Sequence, residues 1–155
     1  FAYELHKEGG EYDMNKKGFT LIELLVVVAI IGLLSTLAVV ALSTAREKTR
    51  DSKRLSDLKN IQTALELHYT GSNQYPVAQV AVDLGAGDFA CLNGDGFGAV
   101  GCATPFLEVV PSGPNAAEVY TYTSDDGTAF AVVATLEGEL GGLSGDVTAS
   151  QSGIN

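Results

Sequence analysis

Basic residues are missing from more than half of this chain. All nine lysines and arginines lie between Lys7 and Lys59, and residues 70–155 contain none. The same stretch carries ten acids, so its formal charge of -10 equals that of the whole chain. Such a field repels phosphates, and direct nucleic-acid binding by the C-terminal half is not expected. An acidic surface keeps an exported domain soluble; attraction of cations is the alternative reading. Cysteine is scarce as well. Cys91 and Cys102 are too few for a four-cysteine zinc site, and His6 and His68 stand far from them without ligand spacing. A nucleophile elbow, a phosphate-binding glycine loop, a zinc motif and a histidine near a serine or cysteine are not found, so no enzyme is expected. Proline is absent from residues 19–75, and nothing there forces a helix to break. At 155 residues the chain is long enough for one domain with a real core and too short for two.

What is present begins with the two cysteines. Ten residues separate them, which suits a small disulfide loop in an oxidising compartment, with a pair of buried thiols as the alternative. A bridge of that span stabilises by about 3 kcal/mol in the chain-entropy description. Far more prominent is the run FTLIELLVVVAIIGLLSTLAVVALSTA at residues 19–45. After Glu23 no charge occurs until Arg46, leaving 22 uncharged residues, 24–45. As a helix these span about 33 Å, enough for a bilayer core of roughly 30 Å. The run exceeds a signal-peptide core and reads as an anchor that stays. Gly32, its one glycine, is a local weak point.

Glu23 interrupts this apolar pattern. A carboxylate in lipid costs roughly 2.5–3.5 kcal/mol on the permissive insertion scale, less near a helix end. Either it snorkels to the headgroups, or it meets a new amino terminus, the one partner the local sequence is able to create. Topology is left open by charge alone. Lys16 and Lys17 favour a cytoplasmic N-terminus, whereas Arg46, Lys48, Arg50, Lys53, Arg54 and Lys59 follow the span; the cysteines and the acidic half argue for export.

The segment NKKGFTLIELLV at residues 15–26 resembles the class III signal of the type IV pilin and type II secretion pseudopilin superfamily. It has the basic stub, the small residue, the aromatic, and the glutamate four positions later inside an apolar helix. The resemblance runs from Met14 to about Pro76. It implies that Gly18 is the last leader residue, recognised by a prepilin peptidase on the cytoplasmic face. Phe19 becomes the new N-terminus, N-methylated by the same enzyme, and Glu23 pairs with the Phe19 amine of a neighbouring subunit. Opposite charges attract strongly in a low-dielectric core, and such a pair serves as a register device. The resemblance also implies a leader that stays inside and a head that is exported. The chain departs from the family in lacking a proline midway along the anchor. Residues 1–13 match no such leader, while Met14 begins a short one; they are expected to be an upstream extension or a gene-calling artefact, outside the fold.

Beyond the span the helix is expected to continue to about Tyr69. Leu55, Leu58, Ile61, Leu65 and His68 recur at spacings of three and four and draw one apolar stripe. His68 reads as a stripe-edge residue rather than a ligand. The mixed charges of residues 46–59 form either a solvated face or salt bridges between subunits. Gly71 and Pro76 end the helix, and its last turns, with Tyr75-Pro76, resemble the major pseudopilin of type II secretion. Residues 77–114 are rich in glycine and read as irregular. The family likeness makes Asn93 and Asp95, inside the cysteine loop, weak candidates for Ca²⁺. An EF-hand is excluded because cysteines occupy its first and twelfth positions, and a turn-forming loop is the alternative. Residues 118–123 and 128–137 are rich in Val, Tyr, Thr and Phe around Ser124-Asp125-Asp126-Gly127, a hairpin signal. Residues 146–149 add a short last strand.

The expected organisation is α+β: a leader at 1–18, the transmembrane half of a helix at 19–45, its exposed amphipathic half at 46–70, and an acidic head with a small antiparallel sheet at 71–155. The expected function is a structural subunit of a type IV pilus or a type II secretion pseudopilus. It would sit in the cytoplasmic membrane with its N-terminus inside, then enter a cell-surface or periplasmic filament. Its partners would be copies of itself, related minor subunits, the prepilin peptidase and the membrane, with no cofactor unless calcium. The alternative is a monomeric membrane-anchored surface module, an adhesin or cation binder.

Overall fold

In the computed structural model, residues 18–115 and 118–155 are described. The expected leader up to Lys17, with its extension at 1–13, lies outside the described residues. The chain divides into two compact units, Phe1–Val40 and Ala41–Asn155.

One helix, α1 (Leu21–Ser72), has 52 residues. Its first part belongs to the first unit and is apolar on every side; Leu24, Val28, Ile31 and Leu37 are all more than half exposed. An all-round apolar helix is a membrane span or a core helix. Here none of the apolar window is buried, which suits a membrane anchor. Thr20 caps the helix N-terminus, and Glu23 sits in its first turn.

In the second unit α1 changes character. Leu58, Ile61 and Leu65 are fully buried at helical spacing, and Leu55 packs at their margin. The helix passes through Gly71 and stops two residues later than that glycine suggested. Asn73 adopts φ 57°, and its N–H reaches the Tyr69 carbonyl at 2.8 Å, a left-handed cap that asparagine tolerates.

The strands are β1 (Ala78–Asp83), β2 (Cys91–Asn93), β3 (Gly96–Gly98), β4 (Thr121–Ser124), β5 (Ala131–Leu140), β6 (Leu143–Ser150) and β7 (Gly153–Ile154). Five of them form an antiparallel sheet in the order β1-β4-β5-β6-β7, and β2 pairs with β3 alone. The expected hairpin is β4–β5, with Tyr122 opposite Val132. The expected last strand is longer than residues 146–149. It runs from Leu143 because Gly141 and Gly142, both at positive φ (63° and 85°), make the two-residue turn that returns β5 into β6.

Residues 77–114 are not irregular throughout, which corrects the sequence expectation. β1 lies there as an edge strand against β4. β2 and β3 form a small hairpin closed by Gly94 and Asp95. Short strands with small side chains carry little periodicity, so composition concealed them. The inner face of the sheet alternates as a half-buried sheet must: Val132, Ala134 and Leu136 from β5, and Val147 and Ala149 from β6, close over Leu58, Ile61 and Leu65. Tyr75, Phe130, Tyr122 and Phe97 follow one another at ring-centroid distances of 4.6–6.4 Å across the far end of this core.

Candidate functional site

The N-terminal turn of α1 holds the residues singled out for processing and assembly. Glu23 Oε2 accepts the Thr20 backbone N–H at 2.8 Å and the Thr20 hydroxyl at 2.7 Å. The Thr20 oxygen in turn accepts the Glu23 N–H at 3.2 Å. This is a reciprocal capping box, and it corrects the expectation that only a new amino terminus offers Glu23 a local partner. The signal was legible as Thr-x-x-Glu before an apolar run. Oε1 takes no hydrogen bond among the described residues, so half of the carboxylate stays open to a further donor. Gly18 and Phe19 lie just outside the helix, both exposed.

The charges of residues 46–59 are neither simply solvated nor all held for other subunits. Arg54 is 1% exposed. Its guanidinium donates to Asp51 Oδ1 at 2.5 Å, to Glu137 Oε1 at 2.7 Å and to Glu118. Arg50 donates Nε to Glu137 Oε1 at 2.6 Å and Nη2 to the other oxygen. Asp51 accepts the backbone N–H groups of Glu137 and Gly138, each at 3.0 Å. Those amides are available because the β5–β6 register shifts between Thr135 and Glu139, the usual effect of a bulge. Burial alone would lower the Arg54 pKa, but its bonds to Glu118, Glu137 and Asp51 outweigh that and raise it. The bonds from Arg50 and then Arg54 hold the Glu137 carboxyl down at about 2. Asp57 is buried too, bonded by the Tyr120 hydroxyl and by Lys53, both at 2.9 Å. The sequence stripe therefore stopped too early: the inward face of α1 continues from Leu58 through Arg54 to Asp51, in charged residues that apolar periodicity cannot detect.

His68 does have a serine beside it, contrary to the sequence reading. Ser72 Oγ stands 3.0 Å from His68 Nδ1. The pair sits in the last turn of α1 and binds backbone carbonyls there. Nδ1 faces the Gln74 carbonyl at 2.9 Å, and the Ser72 hydroxyl reaches the carbonyls of His68 and Gln74 at 2.9 and 2.7 Å.

Cys91 and Cys102 are joined as a disulfide with Cα atoms 6.2 Å apart. Inside that loop Asn93 Oδ1 accepts the Asp95 N–H at 3.0 Å, an Asx turn. Calcium requires six to eight oxygens. Asn93 and Asp95 offer two of these side-chain positions, and Asp95 is the single carboxylate between the two cysteines. Among the described residues no three His, Cys, Asp or Glu side chains converge on a metal position.

A long apolar N-terminal helix with a small antiparallel sheet is the α+β fold of type IV pilins. Comparison with known proteins points the same way. Residues 13–39 match the prokaryotic N-terminal methylation motif. The chain is 36% identical over 67 residues to the type II secretion system core protein G of Pectobacterium carotovorum, covering 43% of each chain. It is 35% identical over 69 residues to the protein of that name from Aeromonas hydrophila, covering 44% of this chain and 48% of the relative. It is also 37% identical over 68 residues to the type IV wide pilus major component PilA4 of Thermus thermophilus, covering 44% of this chain and 52% of the relative. The chain thus spans about half the length of the curated relatives it matches. No solved structure matches.

Proposed function

We propose that this chain is the structural subunit of a helical filament, a type IV pilus or a type II secretion pseudopilus, made as a membrane-inserted precursor. The observation that carries the proposal is the N-terminal part of α1: apolar on all sides, exposed along its length, with one carboxylate in the first turn, inside a segment that matches the N-terminal methylation motif. An apolar helix of that length is at home in a bilayer and, equally, in a bundle of its own copies, where like helices bury one another.

In this reading a prepilin peptidase cuts between Gly18 and Phe19 and methylates the Phe19 amine. The open oxygen of Glu23 then receives the ammonium of a neighbouring copy. A charge buried in lipid is tolerated where an opposite charge meets it. The N-terminus begins in the cytoplasm, the acidic head is exported, and related minor subunits join the same filament. The role is mechanical and calls for no cofactor.

Mass spectrometry of the membrane fraction tests this directly. The expected mature chain begins at Phe19 and carries an added methyl group. A chain that keeps Lys16 and Lys17 overturns the proposal. Glu23→Ala is expected to abolish filaments seen by electron microscopy while the subunit remains in the membrane; full function without filaments would favour a monomeric anchored binding module.

A further inference from the structure

The charges of the second unit are segregated, and the ion pairs described above sharpen the segregation. Arg50 and Arg54 are consumed by Glu137, Glu118 and Asp51, and Lys53 by Asp57. Among the described residues Arg46, Lys48 and Lys59 are exposed and make no ion pair, and Lys59 donates to the Gln62 amide oxygen at 3.1 Å. Successive helical residues turn by about 100°, which places Lys48 and Lys59 on one face, roughly 130° around α1 from the buried Arg54. Ser52, Ser56 and Thr63 lie on that outward face, all exposed and uncharged, and Glu66, seven residues after Lys59, is its one acid, half-buried and accepting the Tyr75 hydroxyl at 3.0 Å. Its charge is therefore positive. The strand-and-loop surface is the reverse. Among the described residues Asp83, Asp88, Asp95, Glu108, Asp125 and Glu139 are exposed and make no ion pair, and residues 70–155 hold no base to offset them.

Two heads that meet through their acidic surfaces repel. Among the described residues, the complementary surface that the second unit offers is the back of its own helix. We propose that the outward face of α1 carrying Lys48 and Lys59 is a docking surface for the acidic strand-and-loop surface of a second copy. Such a contact joins two different patches. It is heterologous, and a heterologous contact that does not close on itself propagates an open helical array. The inference rests on the filament reading above and supplies its side-by-side contact. Lys48 lies 3 residues past Ala45, the end of the uncharged run, within reach of headgroups, but Lys59 lies 14 residues past it, about 21 Å along a helix, so a second copy accounts for both lysines and lipid headgroups for one.

Two measurements test it. In the first, Lys48→Glu and Lys59→Glu are combined in the full chain, and filaments are scored by electron microscopy beside cleavage before Phe19. Loss of filaments with cleavage intact is expected. Normal filaments from the double variant overturn this contact and leave the filament reading standing; no filaments from the unaltered chain overturn both. The second does not depend on the variant folding. Filaments grown from a mixture of unlabelled and ¹⁵N-labelled subunits are treated with a carbodiimide, which joins an ammonium to a carboxylate it touches. Mixed-isotope links from Lys48 or Lys59 to acids within residues 83–146 are expected. Links confined to single chains, or absent at both lysines, overturn the proposal.

Discussion

Arg54 and Glu137 stand 83 positions apart in the chain and 2.7 Å apart in the fold. That contact is the hub by which the exposed half of α1 is fixed to β5. Removing one member of a buried, hydrogen-bonded ion cluster leaves its partners with uncompensated charge, a loss of about 3–5 kcal/mol. Arg54→Ala is therefore expected to lower the urea midpoint of the detergent-solubilised chain severely. Asp51 is as buried as Arg54 and would lose its guanidinium partner. An unchanged midpoint would mean that the cluster does not fasten helix to sheet.

The same cluster sets an acid limit. Arg50 and Arg54 depress the Glu137 pKa to about 2 from 4.5. A depressed carboxylate contributes stability that is fully present above its unfolded pKa and disappears as pH falls toward the folded value. The unfolding midpoint should thus be insensitive to Glu137 titration above pH 4.5 and should decline between 4.5 and 2. Glu137→Gln is expected to be less stable at neutral pH and to show a shallower decline across that window. Parallel profiles for the two proteins would remove Glu137 from the acid response.

These residues also show where sequence reasoning stopped. The anchor, Glu23, the exposed helix with Leu58, Ile61 and Leu65, and the β4–β5 hairpin were legible because each rests on local pattern: a charge-free run, a spacing of three and four, or a turn between β-rich segments. Arg54, Asp51 and Asp57 were not. A charged residue looks solvated until its partners are known, and Glu118 and Glu137 lie more than 60 positions away. β1 escaped because its six residues, AQVAVD, are mostly exposed. The Thr20–Glu23 box is local as well, a Thr-x-x-Glu pattern directly before the apolar run.

The disulfide constrains the segment with the least regular structure. Cys91 is fully buried on β2, and the loop to Cys102 carries the β2–β3 hairpin whose Phe97 packs on Tyr122 at 5.0 Å. Closing a loop of this length restricts the unfolded chain by about 3 kcal/mol. Cys102→Ala is expected to lower stability by that order, with the β5–β6 amides still protected in hydrogen exchange. Loss of protection across the whole sheet would mean that the bridge is needed for the head to fold at all.

Gly127 occupies the loop between β4 and β5 at φ +77°, and a Cβ there would stand 2.9 Å from the Tyr75 carbonyl oxygen. Two costs combine at this position. A left-handed backbone opposes any residue with a Cβ by about 1–2 kcal/mol. The clash is with backbone, not with the end of a flexible side chain, so a rotamer change cannot relieve it. The site matters because the Gly127 carbonyl accepts the Tyr75 N–H at 2.8 Å, which ties the segment leaving α1 to the hairpin loop. Tyr75 also donates its hydroxyl to Glu66 at 3.0 Å, and burial together with that carboxylate pushes its pKa up to about 12. Gly127→Ala should therefore destabilise the head by more than the backbone term alone. It should also bring the Tyr75 ionisation, followed by its ultraviolet absorbance, back toward the ordinary value. If the variant matched the parent in both stability and titration, the loop would not be the clamp that the Tyr75 contact implies.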